Sequence, residues 1–497
     1  MRRVCLLFML LVMASPAAAQ DGRYLVIPFE NANGEARLYW LGEGSAVLLT
    51  DDLLALGAAA ITRDDRLRAF ESLNVPPVAS LSHATVIRLG QLVGASHVIV
   101  GSFDRKDNVL TVRARAIRLD TGRMQAEISE SGPLENLFDV YARIARQLWP
   151  DSRVGLEQME QGHPPLPAFE QYIKGVLAEA PATKLGFLDE ALELYPNFQR
   201  ARLAQWDVYT EQGEHARALE VARRVPMDHP QARRARFLAS TSLIQLGQLD
   251  EAFTILADLN RTKPDPAVFN NMGIVQLRRK STTAGGSAVY YFDQAAKLDP
   301  DDADLFFNLG FAYFASGDAK AAAHWLREAV RRNPTDDEAH YALGVALQAS
   351  GSDAEGAREK ELARQLSSVW VEREKKSSGS TLPPQLTDRI KSDIVEPGAL
   401  RVESVIVASE QREQQQLSAF HLERGRRMFA QERDTEAIAE LRRAIYLTPY
   451  QAEAHLLLAR AYQRTGRTKE AIDSLKIAVW IDPANTAARE LLTQLSK

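Results

Sequence analysis

The feature that most constrains this chain is a spacing. Counted from Gly310, Ala322 follows 12 residues later, Leu326 16, Ala329 19 and Pro334 24 later. Gly425 is followed at the same offsets by Ala437, Leu441, Ala444 and Pro449, and Ala459 by Ala471, Leu475, Ala478 and Pro483. Ala437 and Ala471 are 34 residues apart, as are Pro300 and Pro334. A fixed period of this length calls for a stack of supersecondary units, each burying its apolar side against its neighbours. The proline ends each unit, because it cannot continue a helix.

The period, the small residues, the recurring alanine and the closing proline resemble the tetratricopeptide repeat. The resemblance implies two antiparallel helices per repeat. A small residue at the eighth position and an alanine at the twentieth let the two helices approach. Full repeats are expected at 199–232, 233–266, 267–302, 303–336 and 337–370, after a shorter one at about 165–198, with two more at 418–451 and 452–485. Ala218, Ala252, Ala288, Ala322, Ala437 and Ala471 fall at the twentieth position. The 267–302 repeat is longer, with Arg278–Ala288 extending its inner turn, and the 337–370 repeat is degenerate, with Gly356 and Lys360 in packing columns. Ala487–Leu495 reads as a capping helix. The expected organisation is a repeat array at 165–370, a partly disordered linker at 371–417, and two terminal repeats plus cap at 418–497. Ser, Gly, Pro and charge dominate Ser367–Gly398. Ala399–Leu417 fits either a strand followed by a polar helix or one helix.

Residues 22–150 have another texture. Apolar runs at Arg23–Asn31 and His97–Ser129, interleaved with helical periodicity, give the order β-α-β-α-α-β-β-β-α and a mixed-sheet α/β domain. The phrases LVIPFEN, WLGEGSAVLLTDDLL, GASHVIVGSF and RAIRLDTGRM resemble the amino-terminal module of the TolB type, related to the curli-secretion lipoprotein family. That resemblance implies a non-catalytic envelope domain that contacts other proteins. Residues 1–19 carry Arg2 and Arg3, an apolar run from Val4 to Met13 and the small residues Ala17 to Ala19, the layout of a secretory signal peptide. The expected product is exported, periplasmic and not lipid-anchored. The sole cysteine, Cys5, lies in this leader, so the remainder has neither disulfide nor Cys metal ligand.

Few functions based on chemistry survive. A formal net charge of −5 over 497 residues, with basic residues spread along the chain, gives no reason to expect nucleic acid. No phosphate loop, HExxH or GxSxG motif occurs, and Gly42–Ser45 lies within a helical pattern. His340, His421 and His455 share the fourth column of their repeats, which assigns them to packing. The acidic run Asp299–Asp304 sits at a turn between repeats, where Asp caps the next helix; calcium is the weaker reading. No cofactor, metal or catalytic residue is expected.

What the pattern leaves over is a surface. Resemblance to the family places the first helices of each repeat along a concave groove. In the stretch Asp304–Asp318, Phe306, Gly310 and Tyr313 take packing columns, while Phe307, Phe311 and Phe314 recur at i, i+4 and i+7 and form a second stripe. The same repeat adds Asn308, and neighbouring repeats add Phe237, Ile244, Asn270, Asn271, Ile274, Leu277, Tyr341 and Val345, with Arg200 and Arg234 at the mouth. Three readings of the stripe stand: packing between adjacent first helices, cover by the chain's own linker, or a groove for a protein partner, the last leading. The expected function is a non-enzymatic periplasmic scaffold binding envelope proteins. The alternatives are an oligomeric accessory factor for envelope assembly or secretion and, third, an envelope-remodelling enzyme.

Overall fold

The computed structural model describes residues 22–76, 81–150, 152, 163–279, 286–376, 388–394, 402–449, 451–482 and 484–496. The leader expected at 1–19 lies outside them. The chain divides into two compact units, Met1–Ile173 and Lys174–Lys497.

In the first unit Arg23–Val26 forms β1, buried at all four positions. It pairs in parallel with β3 (Ala59–Ala60) and β4 (His97–Lys106), while β2 (Glu30–Asn31) pairs in parallel further along β4. β4, β5 (Val109–Arg118) and β6 (Ile128–Pro133) are antiparallel, giving the order β3-β1-β4-β5-β6. Helices α1 (Leu41–Ala55), α2 (Arg63–Ser72), α3 (His83–Leu92) and α4 (Leu137–Leu148) complete the α/β part. The succession agrees with the sequence expectation, with the short β2 added. The β4–β5 hairpin turns at Asp107 and Asn108, with φ of 56° and 86°. Two successive left-handed residues match the turn to the strand twist, and Asp and Asn tolerate them. The glycine-rich stretch Gly42–Ser45 serves packing. A Cβ on Gly42 would sit 2.8 Å from the Phe29 carbonyl oxygen. The Ser45 hydroxyl bonds the Leu41 carbonyl and the Tyr141 hydroxyl. Glu43 is buried and accepts from Arg63 (2.7 Å) and Arg66.

Next in the chain is helix α5 (Leu166–Leu177). There follow α6 (Pro181–Leu194), α7 (Gln199–Glu211), α8 (His215–Arg223), α9 (Ala232–Gln245), α10 (Leu249–Thr262), α11 (Pro266–Arg279) and α12 (Ala288–Leu298). Next come α13 (Ala303–Ala315), α14 (Ala319–Arg332), α15 (Asp337–Ala349), α16 (Asp353–Leu366) and the short α17 (Val369–Lys376). The chain ends with α18 (Val402–Ala430), α19 (Asp434–Leu447), α20 (Ala452–Arg464), α21 (Thr468–Ile481) and α22 (Thr486–Leu495). Among the described residues the regular elements of the second unit are all helices.

A close approach recurs where the first helix of a pair carries a glycine. A Cβ on Gly310 of α13 would lie 2.6 Å from Leu326 Cγ on α14, and one on Gly425 would lie 2.7 Å from Leu441 Cγ. Gly273 meets the Phe292 ring at 2.7 Å in the same way. A glycine in one helix thus receives a large side chain of the next. Ala218, Ala252, Ala322, Ala437 and Ala471 are fully buried, as their column requires. Ala288 is different: it begins α12 and is only half-buried, because the lengthened inner turn starts the helix there. The degenerate repeat still brings its helices close: a Cβ on Gly344 would lie 2.8 Å from the Gly356 carbonyl oxygen and 2.7 Å from the stem of Lys360, whose ammonium donates to Gln348 (2.7 Å).

The histidine column is packed, as its spacing predicts. His340 bonds Glu359 (2.6 Å) and the Pro334 carbonyl (3.0 Å). Burial works against its charge, but Glu359 outweighs it and raises the imidazole above its ordinary range. His455 has no carboxylate in that role, and burial pushes it down to about 3, so it is neutral. The span expected as linker, 371–417, holds more structure than its composition predicted. α17 reaches Lys376, and Val402–Leu417 is part of a single helix, α18.

Substituting Gly310→Leu is expected to cost about 1–3 kcal/mol through overpacking against Leu326. A fall in urea midpoint at unchanged slope checks this, and a midpoint at or above the parent value would remove the close-approach argument.

Candidate segment-binding groove

Helices α9, α11, α13 and α15 present their side chains to a seven-residue stretch of the same chain, Asp388–Ile394. This stretch belongs to no helix or strand. Its peptide groups therefore need partners from elsewhere, and asparagine side chains supply them. Asn308 donates from Nδ2 to the Arg389 carbonyl (2.9 Å) and accepts from the Arg389 N–H at Oδ1 (2.8 Å). Asn271 treats Lys391 identically, at 2.9 and 3.0 Å. Asn270 donates to the Arg389 carbonyl (2.8 Å) and to Asn271 Oδ1 (3.1 Å), and accepts from Asn308 Nδ2 (2.8 Å). All three amides are fully buried. The amide of an Asn side chain copies a peptide group, so two residues in alternate positions are held as a neighbouring strand would hold them.

The charged side chains of the segment meet opposite charge. The Arg389 guanidinium grips Asp336 with both terminal nitrogens (2.6 and 2.8 Å), touches Asp304 (2.8 Å), and stands 3.8 Å above the Phe307 ring. Glu338 lies 3.6 Å away. Lys391 reaches Asp302 (2.9 Å) and Asp304 (2.7 Å). Asp302 and Asp336 are also the N-caps of α13 and α15, accepting from the Asp304 and Ala339 N–H groups. Arg278 bonds Asp388 through two nitrogens (2.8 and 2.7 Å), and Arg234 bonds Asp393 (2.8 Å). Ile394 is buried in the core cluster that contains Phe237 and Ile274, and Ile390 packs against the same cluster. For Lys391, burial opposes the charge, but Asp302 and Asp304 hold the ammonium above its usual range. Burial would raise the Asp304 carboxyl, yet Lys391 and Arg389 keep it below the usual carboxylate range.

The stripe of aromatics is thereby divided. Phe307 is buried and lies parallel to Phe311, with ring centroids 6.3 Å apart. Phe314 packs beside Tyr341 and Val345, where Tyr341 stacks on Trp370 of α17 at 4.2 Å. Phe237, Ile274, Tyr341 and Val345 are buried, and Leu277 is partly so. Of the groove residues singled out in the sequence, Asn270, Asn271 and Asn308 hold the segment's peptide groups, and Phe307 carries its arginine.

The acidic wall is an addition to the apolar and amide residues that the sequence offers for the groove. Asp302 and Asp336 are 34 residues apart, as are Asp304 and Glu338, so the repeat period itself marks the wall. The alternation D-R-I-K-S-D-I inside a Ser/Pro-rich stretch was the other available signal. The acidic run weighed for calcium turns out to hold a cation of another kind, the Lys391 ammonium. Among the described residues no group of three or more His, Cys, Asp or Glu side chains is placed to hold a metal ion. Within the same residues no helix is long and apolar enough to cross a membrane.

Family models for the tetratricopeptide repeat match residues 210–270, 285–356 and 452–485, and one described as TPR repeat matches 425–466. The chain carries tetratricopeptide repeats on both sides of the docked segment. No curated protein matches it. Similar solved structures include MamA (41-end) from Desulfovibrio magneticus RS-1, at 17% identity and a TM-score of 0.30, covering 37% of this chain and 97% of that one. Another is MamA MSR-1 C2, at 18% identity and 0.28, covering 34% and 95%. A third is the APC/C hetero-tetramer Cut9-Hcn1, at 16% identity and 0.30, covering 72% and 60%.

If the amides and the wall hold the segment, the Arg389 and Lys391 N–H groups are protected from hydrogen exchange. Asn271→Ala with Asn308→Ala removes all four of their hydrogen bonds to the segment, of about 0.5–1.5 kcal/mol each, besides the two to Asn270, and protection at both sites is expected to fall at least tenfold. The Asp304 contribution is present above the unfolded carboxylate range, about pH 4, and is lost as pH falls through its lower folded value. Protection relative to intrinsic exchange is therefore expected to persist at pH 5 and drop below pH 4. Equal protection at pH 5 and pH 2.5 would contradict the ion-pair assignment.

Proposed function

We propose that this protein is a non-enzymatic interaction scaffold whose first repeat array receives an extended segment of polypeptide along α9, α11, α13 and α15. The observation that carries this reading is the pair of asparagines that bond both peptide groups of alternate residues. Such bonds recognise extended backbone whatever its sequence, which is how strand-like peptide recognition gains affinity. Phe307, Phe311 and the aliphatic residues around Ile274 supply the apolar floor, and the chain's own Asp388–Ile394 occupies the place. The same groove, Phe237 through Val345, is the surface assigned to a partner.

The finer reading is an exported protein of the cell envelope. It rests on the leader layout at 1–19 and on the resemblance of residues 22–150 to the TolB-type module, which would dock to an envelope component. The two repeats at 418–497 extend the scaffold.

The test replaces Asp388–Ile394 by Gly and Ser in the full chain and titrates in a labelled peptide of the segment's own sequence. Saturable binding in the range of about 10–100 μM is expected, corresponding to roughly −5.5 to −7 kcal/mol, with at least a tenfold loss on Asn271→Ala with Asn308→Ala. Absence of binding to the emptied chain, with its thermal transition intact, would overturn the proposal.

A further inference from the structure

We infer that Asp388–Ile394 is an internal competitor, and that the ligand it excludes is an extended segment carrying two basic residues that bracket an aliphatic one. The inference rests on the groove reading above and adds its specificity and its regulation.

The amides fix the geometry. Because Asn308 and Asn271 hold residues two apart, the side chains of Arg389 and Lys391 leave the backbone on one side and Ile390 on the other. Both basic side chains then meet carboxylates: Asp304 and Asp336 at the first position, Asp302 and Asp304 at the second. Two of these carboxylates are tied down as helix caps and cannot turn away when the groove is empty. An empty groove therefore keeps several like charges close together, and neutral or acidic residues at the two positions would leave them unpaired. This polarity is chosen by side chains and not by the backbone bonds, so a groove that accepts any extended chain still discriminates by charge.

Displaceability follows from what the segment lacks. It forms no strand or helix with the array, and its ends are held by ion pairs at the groove's mouth, Arg278–Asp388 and Arg234–Asp393. Asp388 and Asp393 are acidic while the centre is basic, so the segment's charge pattern is complementary along its length. It lies in the chain between α17 and α18. Docking is therefore intramolecular, at an effective concentration of the order of a millimolar. A competitor must exceed that concentration relative to its own affinity, or bring additional contacts, to open the site.

The experiment uses the wild-type chain and the emptied chain with three labelled peptides: the segment itself, a copy with Arg389→Ser and Lys391→Ser, and a copy with both replaced by Glu. Expected is binding of the basic peptide to the emptied chain, at least tenfold weaker binding of the Ser copy, and no measurable binding of the Glu copy. Binding of the basic peptide to the wild-type chain is expected to be about 100-fold weaker than to the emptied one, the ratio of a tethered millimolar to a ~10 μM ligand. Three results overturn the inference while leaving the groove reading in place. They are equal binding of all three peptides to the emptied chain, equal affinity of the basic peptide for both chains, and a wild-type dimer by light scattering whose segments exchange between copies. Failure of every peptide to bind the emptied, folded chain is the separate outcome that removes the groove reading as well.

Discussion

The close approach of paired helices governs the architecture of the second unit. Where Gly310 faces Leu326 and Gly425 faces Leu441, even one methyl group on the glycine would overlap the opposing side chain. Tight pairs of this kind stack with a fixed offset, because each presents the same faces to its neighbours. The offset places α9, α11, α13 and α15 side by side. Residues far apart in sequence then come into register: Asn270 touches Asn308, and Asp304 and Asp336 share one guanidinium. Without that regular approach, amides from two helices would not converge on the peptide groups of one segment.

Caps have a second use in this stack. An aspartate at the start of a helix satisfies a free backbone N–H and sits where the helix dipole favours negative charge. Asp302 and Asp336 do this for α13 and α15, and both oxygens of each carboxylate also take the groove cations, Lys391 on Asp302 and Arg389 on Asp336. The period that repeats the cap thus also repeats the acid. An element required for helix termination becomes a wall with a charge preference, at no cost to the packing columns.

The sequence made most of the repeat architecture legible, because close-approach positions admit only small residues and recur at fixed offsets. Residues whose role is set by one column, such as Ala322, Ala437 and His340, were assigned correctly on that ground. Ala288 keeps its column across the insertion, four residues before Phe292 as Ala322 is before Leu326, and is less buried only because its helix starts there. The asparagines were legible as groove residues but not as hydrogen-bonding partners, because a partner from another part of the chain has no periodic mark. The chain order of the front unit was readable from alternating and continuous apolar runs. The two-residue β2 was too short to leave one.

The docked segment escaped the sequence for a physical reason. Composition argues about segments as wholes, and Ser367–Gly398 is indeed rich in Ser, Pro and charge, too poor in apolar surface to form a core of its own. Order at Asp388–Ile394 does not require a core of its own. It requires that the array supply hydrogen bonds for two residues, carboxylates for two cations and an apolar floor for Ile390 and Ile394. A segment that borrows all three looks disordered in isolation and becomes ordered only against its receptor. The same dependence makes it exchangeable, since nothing it contributes is beyond the reach of another extended chain with basic residues two positions apart.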